Sequence, residues 1–189
     1  MTNMQNNIES ILQSNSIIPV VTIQNETEID SIYTKLMKNG IRCVEITLRT
    51  DYAYQAITEF KNRYGNEFKV GVGTVINKVQ VDKCIELNVD FMVSPGLTPD
   101  LAEALHESKI AFLPGAVTPS EIINGQELGV QFFKFFPANL FGGLETLRTY
   151  ETVFKGVKFC PTGGVNESNY NDFLKLENVI SVGGTWVLK

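Results

Sequence analysis

The sequence predicts an α/β protein, a (β/α)₈ barrel of the TIM type, on two observations. Eight short apolar or β-branched runs recur along the 189 residues, and a polar, amphipathic segment separates each from the next. This alternation favours a parallel sheet, because parallel strands need crossover connections. The count of eight favours a barrel over the alternative, an open doubly wound sheet. We expect one domain that covers residues 1–189.

The eight candidate strands are short and rich in residues that suit a pleated, buried surface. In chain order they are IIPVVTI from Ile17, IRCVEITL from Ile41, FKVGVGTV from Phe68, VDFMVS from Val89, KIAFLP from Lys109, VQFFKFF from Val130, VKFCP from Val157 and VISVGG from Val179.

The segments between these runs carry the start and stop signals of helices. ETEIDSIYTKLMKNG and DYAYQAITEFKNRYG both end in glycine, which is common after a helix. TPDLAEALHES and TPSEIINGQELG both begin with Thr-Pro, so that Thr98 and Thr118 can cap a helix whose first position is proline.

Both ends of the chain depart from a regular barrel. NNIESILQSN, before the first strand, predicts an N-terminal helix, and the chain stops at SVGGTWVLK without a helix behind the eighth strand. The predicted barrel therefore has a shortened C-terminus that lacks the last barrel helix. We expect the flank near strands eight and one to be covered by the N-terminal segment or by a neighbouring subunit.

Composition excludes several classes of partner. The net charge of −5 and the absence of a Lys/Arg cluster argue against nucleic acid. No signal peptide and no apolar run long enough for a membrane span are visible. The three cysteines are far apart and odd in number, which suggests neither a disulfide framework nor a zinc site. We expect cytoplasmic residence and no membrane partner.

The second strand, in RCVEITLRT, carries charged residues on one face. Val44, Ile46 and Leu48 share one parity and would face the helices, whereas Glu45, Thr47 and Arg49 would face the barrel interior or its mouth. Buried charges need partners or a ligand, so this set predicts a site. The alternative is a surface Glu/Arg pair at i, i+4 on a helix.

The segment VQFFKFFPANLFGG places one lysine among phenylalanines. Lys134 shares a face with Phe132 and Phe136, while Phe133 and Phe135 take the other, so the strand is expected to be buried on both sides. Apolar surroundings favour a neutral amine, which is a nucleophile toward carbonyl groups. The alternatives are a surface strand whose lysine points to water and a snorkelling or salt-bridged lysine, for example one paired with Glu45.

Glycine pairs follow the last two strands, in CPTGGVNESN and SVGGTW. In barrels the loops after strands seven and eight often bind phosphate through backbone N–H groups. Thr162 and Thr185 would add hydroxyl donors there. The alternative is that these glycines serve only tight turns.

Six motifs in this order, VEITLRT, VGVGTV, VSPGLT, FKFFPA, FCPTGG and VGGTW, resemble those of the 2-keto-3-deoxy-6-phosphogluconate (KDPG) aldolases, many of which also act on 4-hydroxy-2-oxoglutarate. The resemblance runs from about Ile8 to the chain end. It implies a class I aldolase on a (β/α)₈ barrel, usually a homotrimer, whose substrate is a small 2-keto acid, without a cofactor and without a metal.

The resemblance also implies roles for single residues. Lys134 matches the Schiff-base lysine and Glu45 the general acid/base. Arg49 matches the arginine that binds the carboxylate of the pyruvate unit. The remaining matches line the pyruvate pocket (Thr74, Pro95, Phe136), the far end of the substrate (Thr162) and the phosphate site (Gly163, Gly164, Gly184, Thr185). Where a Gly-Ser is familiar in the last motif, this chain has Gly184 and Thr185, and threonine keeps the hydroxyl.

Two other functions stay open on the sequence. A different phosphate-binding barrel enzyme, an isomerase or a decarboxylase, would share the glycine loops without needing Lys134. An inactive, shortened paralogue would explain the missing helix, but every catalytic position that can be matched is filled. The sequence does not rank KDPG, 4-hydroxy-2-oxoglutarate and the C4 epimer as substrates.

Overall fold

The computed structural model describes residues 3–188, with side chains from Asn7 onward, and shows an α/β fold with parallel strands. Each predicted run contains one strand: β1 Ile17–Val21, β2 Cys43–Thr47, β3 Lys69–Gly73, β4 Phe91–Val93, β5 Ala111–Leu113, β6 Phe132–Phe135, β7 Lys158–Pro161 and β8 Val182–Gly184. The helices are α1 Asn3–Ser14, α2 Ile29–Lys38, α3 Ala53–Tyr64, α4 Lys78–Glu86, α5 Pro99–Ser108, α6 Pro119–Glu127, α7 Gly143–Val153 and α8 Tyr170–Leu174.

Six strands form one curled parallel sheet in the order β5-β4-β3-β2-β1-β8, and β6 pairs with β7 in a second, parallel sheet. Single bridges connect the two sheets. Gly115, just after β5, bridges to Lys134, and on the other side Thr162 and Phe159 bridge to Gly183 and Val179. Chain neighbours lie side by side and β8 lies next to β1, which differs from the reversed strand order of a doubly wound sheet.

The two faces of the sheet carry different cores, as the alternation of residues predicts. Val44, Ile46, Phe133 and Phe135 belong to the outer cluster, between the strands and the helices. The inner cluster contains one or two residues from each of six strands: Ile18, Cys43, Phe91, Val93, Ala111, Leu113, Phe132 and Cys160.

Helix α1 closes the inner face at one end. Its Ile8 and Leu12, one turn apart, are fully buried in the inner cluster, and the helix packs on β5 and β6. Of the two alternatives for the flank of β8 and β1, the N-terminal segment instead packs on the inner face, and coverage by a neighbouring subunit stays a prediction. The apolar inner face attracts the apolar stripe of α1. At the flank lies the 3₁₀ turn Trp186–Leu188, which packs against α2 and β1.

Helix starts follow the predicted capping chemistry. The hydroxyl of Thr98 accepts the backbone N–H of Leu101, and that of Thr118 accepts the N–H of Glu121 in a full capping box. Asn77 caps α4 in the same way. Within residues 3–188, the helices are too short or too polar to span a lipid bilayer.

Candidate active site

The centre of the site is an ion pair between β6 and β2. The Nζ atom of Lys134 lies 3.0 Å from Oε1 and 3.3 Å from Oε2 of Glu45. Both residues are almost completely buried, with 4% and 3% of their surfaces exposed. The contact is the pairing that the sequence offered as an alternative to a catalytic lysine. It is compatible with catalysis, because a carboxylate at this distance can take the proton that an ammonium must lose to become a nucleophile.

Glycines on β3 make room for this pair. Gly71 and Gly73 are register partners of Glu45 and Thr47 on β2, and both belong to the inner face. A Cβ atom at Gly73 would overlap the carboxylate of Glu45, and one at Gly71 would overlap the ring of Phe91. The alternation in VGVG therefore places bare backbone where the side chains of the two neighbouring strands need space.

A hydroxyl pair lies above Glu45, toward the carboxyl ends of the strands. Thr47, two residues after Glu45, is fully buried, and its Oγ1 atom lies 2.8 Å from Oγ1 of Thr22 at the end of β1. The Thr47 hydroxyl also donates to the carbonyl oxygen of Val21 at 3.1 Å.

Three predicted residues surround the opening of the site at the ends of β2, β3 and β4. Arg49 is exposed, and the part of the chain that the structure describes offers its guanidinium no hydrogen bond or ion pair. Thr74 is half-buried with φ at +68°, which is strained for a β-branched residue. Strained backbone clusters at functional sites, where it fixes geometry. Pro95 is exposed beyond the buried Ser94.

Phe136 follows β6 and covers one side of the lysine. Its ring centroid lies 5.3 Å from Nζ of Lys134, within the range of a cation–π contact. The residue is half-buried, and a cis peptide bond joins it to Pro137. An aromatic ring therefore lies beside the amine, and Arg49 lies just beyond the end of β2, the strand that carries Glu45.

The glycine loops lie after β7 and β8. Gly163 and Gly164 have φ values of +94° and +74°, a conformation that favours glycine. The backbone N–H groups of Ala138 and Asn139 donate to the carbonyls of Thr162 and Gly163, which joins this loop to the segment after β6. Thr162 is buried against Gly183, where a Cβ atom would overlap its hydroxyl.

The last predicted phosphate residues follow β8. Gly184 is buried beneath Trp186, whose ring would overlap a Cβ atom, and Thr185 is exposed. Because β8 is the neighbour of β1 and is bridged to Thr162, the two glycine loops lie next to each other. The predicted residues thus form an inner pair (Lys134, Glu45) and an outer ring at the carboxyl ends of the strands.

Sequence reasoning missed Thr22 and gave no role to Gly73. The signal for both was the two-residue period of their strands, since Thr22 interrupts the apolar run of β1 and Gly73 has the parity of Gly71. The neighbouring thiol does not add a nucleophile, because burial raises the pKa of Cys160 to about 11. Among residues 3–188, no group of three or more His, Cys, Asp and Glu side chains is arranged to hold a metal ion.

The buried lysine–carboxylate pair lies below the carboxyl ends of parallel strands, which is where enzymes of the α/β class have their active sites. Comparison with known proteins identifies the family. The model of the KDPG and KHG aldolases (KHG is 2-keto-4-hydroxyglutarate) matches residues 8–189, and the chain belongs to that family.

Relatives of known sequence and structure agree with this family. The KHG/KDPG aldolase of Escherichia coli (strain K12) is 38% identical over 188 residues, which are 100% of this chain and 88% of that protein. The KDPG aldolase of Legionella pneumophila, crystallised with pyruvate captured at low pH as a covalent carbinolamine intermediate, is 38% identical with a TM-score of 0.90, over 94% of this chain and 86% of that one. The Zymomonas mobilis ZM4 enzyme with 3-phosphoglycerate is 37% identical with a TM-score of 0.92, over 96% and 86%.

Proposed function

We propose that the chain is a class I aldolase that cleaves KDPG to pyruvate and glyceraldehyde 3-phosphate, and that also accepts 4-hydroxy-2-oxoglutarate, which yields pyruvate and glyoxylate. The observation that carries the proposal is the buried pair of Lys134 and Glu45, 3.0 Å apart on opposite sides of the inner face. The covalent pyruvate carbinolamine of the Legionella relative supports the same chemistry here.

The reaction begins at Lys134. Its Nζ atom, after its proton has passed to Glu45, attacks the C2 ketone of the substrate to form a carbinolamine. Glu45 then returns that proton to the carbinolamine hydroxyl, which leaves as water and gives an iminium ion, and Glu45 is a carboxylate again. The iminium withdraws electrons from the neighbouring C3–C4 bond. Glu45 takes the proton of the C4 hydroxyl, directly or through water, and the C3–C4 bond breaks. The products of this step are a free aldehyde and the enamine of pyruvate on Lys134.

The second half releases pyruvate. Glu45 returns a proton to C3 of the enamine, and water then hydrolyses the iminium to free Lys134 and pyruvate. We propose that Arg49 holds the pyruvate carboxylate by charge-assisted hydrogen bonds. The proposal is supported by its guanidinium, which is exposed and has no partner among the residues that the structure describes. Thr74, Pro95 and Phe136 are proposed to line that end of the pocket.

The phosphate of KDPG is proposed to lie on the two glycine loops. Gly163 and Gly164 in left-handed conformations, with Gly184 and Thr185 beside them, can offer backbone and hydroxyl donors to an anion. Thr162 is proposed to contact the part of the substrate between the two ends. The 3-phosphoglycerate in the Zymomonas relative supports a phosphorylated three-carbon ligand for this family.

The wider architecture is proposed as a closed (β/α)₈ barrel in one domain. The bridges from Gly115 to Lys134 and from Thr162 to Gly183 support closure, since they connect both edges of the β6–β7 pair to the six-stranded sheet. We further propose a homotrimer, as in the family that the motifs resemble. Cytoplasmic residence is also proposed, which the free, buried thiols of Cys43, Cys84 and Cys160 support.

Borohydride trapping with pyruvate tests the mechanism. Reduction of the iminium should leave a stable pyruvate adduct on the peptide that contains Lys134, detected by peptide mass spectrometry. The matched control is Lys158→Met, which removes a less buried lysine of the neighbouring strand β7 and should trap pyruvate as the wild type does. A folded wild-type protein with no adduct, or with the adduct on another lysine, would refute the proposal.

A further inference from the structure

A threonine at the end of β1 belongs to the opening of the site. Thr22 follows Val21, and both Val21 and Ile23 are buried in the outer cluster. Thr22 therefore faces inward by the alternation of the strand. Its Oγ1 atom contacts Thr47 Oγ1 at 2.8 Å, which confirms that direction, and the residue is exposed.

The hydrogen bonds at this pair fix which group Thr22 presents to the opening. A hydroxyl carries one proton and accepts through two lone pairs. Thr47 donates its proton to the carbonyl of Val21 at 3.1 Å. Both contacts are satisfied together only if Thr22 donates to Thr47, so that the oxygen of Thr22 faces the opening as an acceptor.

The position of Thr22 lies between the two proposed ends of the substrate. Strand β1 lies between β8, which leads to Thr185, and β2, which leads to Arg49. Val20 is the register partner of Glu45, so Thr22 lies two residues, or about 7 Å along the strand, nearer the opening than the reacting pair. The Thr22 oxygen therefore lies at the carboxyl ends of the strands, between the strand that leads to Arg49 and the strand that leads to Thr185.

We propose that Thr22 is a specificity-determining residue that accepts a hydrogen bond from a hydroxyl of the aldehyde portion of the substrate. Between the two proposed substrates, this contact favours KDPG, whose aldehyde half, glyceraldehyde 3-phosphate, carries a hydroxyl next to the carbonyl carbon, over 4-hydroxy-2-oxoglutarate, whose aldehyde half, glyoxylate, carries none. The inference rests on the proposed function and adds the group that distinguishes hydroxylated from unhydroxylated aldehydes.

The test is a cycle of two enzymes and two aldehydes in the condensation with pyruvate. The aldehydes are glyceraldehyde 3-phosphate and 3-oxopropyl phosphate, which differ by one hydroxyl. For the wild type, loss of that hydroxyl should lower kcat/KM about fivefold to tenfold, the size of one neutral hydrogen bond. In Thr22→Val, which keeps the β-branched shape, the ratio between the two aldehydes should fall to about one. Thr22→Ser should restore most of the wild-type ratio.

A control and the contrary outcomes separate the causes. Thr149→Val removes an exposed helix hydroxyl on α7 that bonds only within its own helix, and it should keep the wild-type ratio. A wild-type ratio near one, or a Thr22→Val ratio equal to that of the wild type, would overturn the inference. Trapping of pyruvate on Lys134 in the same preparation shows that the proposed function stands when the ratio test fails. If pyruvate is not trapped and neither aldehyde reacts, both proposals fall.

Discussion

At the scale of single residues, the site is divided between two buried charges that satisfy each other and one exposed charge that has no described partner. In the resting enzyme, the pairing of Lys134 with Glu45 offsets the free-energy cost of burying each charge, which would be high for either one alone. The guanidinium of Arg49 is solvated at the opening. A substrate carboxylate would give it the partner that residues 7–188 do not supply.

Replacement of this arginine should affect binding and leave stability unchanged. In Arg49→Met we expect kcat/KM for KDPG to fall about 10-fold to 100-fold, because a hydrogen bond to a charged group contributes about 1.5–3 kcal/mol. The loss should appear mainly in KM for pyruvate in the condensation. The matched control is Arg148→Met, an exposed arginine on α7. A melting temperature that falls together with kcat/KM would point to a structural role for Arg49 instead.

At the scale of elements, the distance between strands and the residues at helix starts decide whether the site can form. Strand β3 has no side chains at Gly71 and Gly73, which leaves space on the inner face for Phe91 of β4 and Glu45 of β2. The helices are fixed by caps that use nearby polar groups. The glycines act on the space around Lys134 and Glu45, whereas the caps act on the stability of the helices.

A methyl group at Gly73 should disturb the reacting pair. Gly73→Ala would overlap the carboxylate of Glu45, which is buried and fixed by Lys134. We expect destabilisation of about 1–3 kcal/mol, the usual cost of overpacking, together with a fall in kcat. Denaturant unfolding and steady-state kinetics measure the two effects. Gly96→Ala is the stability control, because its Cβ atom meets open space. Equal stability of the two variants would contradict the account.

The capping box of α6 gives a stability prediction with a pH dependence. Burial opposes ionisation of Glu121, but the backbone N–H groups of Thr118 and Val117 stabilise its carboxylate and hold its pKa below the usual value. Because this pKa is lowered in the folded state, the contribution is present above the unfolded pKa and is lost as pH falls through the folded pKa. Glu121→Ala should cost about 1 kcal/mol at neutral pH, not more, because the side chain is exposed.

Urea unfolding of the wild type and of Glu121→Ala at pH 7 and at pH 3 tests this. The difference between the two proteins should shrink at the lower pH. A difference that is the same at both pH values would show that the ionised carboxylate does not contribute to the cap.

At the scale of the whole molecule, large apolar side chains stay exposed to solvent in two segments that follow strands of the site. Ile76 and Val79 follow β3, and Leu140 and Phe141 follow β6, with between 43% and 77% of their surfaces exposed. Exposed apolar surface of this kind is common where proteins associate. It is the structural support for the proposed trimer.

The oligomeric state can be measured directly. Light scattering coupled to size exclusion should give a mass about three times the 21.1 kDa of the chain. Val79→Glu should lower that mass if the exposed residue after β3 belongs to the subunit contact. A mass of one chain at concentrations where the enzyme is active would exclude the trimer.

Much of this molecule could be predicted from the sequence because its strands are short and regularly spaced. The eight runs, the Thr98 and Thr118 caps and the division of faces around Glu45 and Lys134 all follow from local periodicity and propensity. The position of α1 could not be predicted in this way, because an apolar stripe shows that a helix is covered without showing by which surface. The contact of Thr22 with Thr47 was missed for a similar reason, since it joins residues that are 25 positions apart.

Helix α1, with Ile8 and Leu12 in the inner cluster, covers the inner face at the amino ends of the strands. With this end covered, substrates enter and products leave at the carboxyl ends of the strands. In the proposed reaction the aldehyde lies between the pyruvate unit and the carboxyl ends of the strands, and pyruvate stays covalently attached to Lys134. The aldehyde therefore departs first in cleavage and arrives last in synthesis, and until it leaves it screens the tethered enamine from water. The covalent attachment of pyruvate to Lys134 sets this order, and α1, at the opposite end of the inner face, leaves the carboxyl ends of the strands as the route.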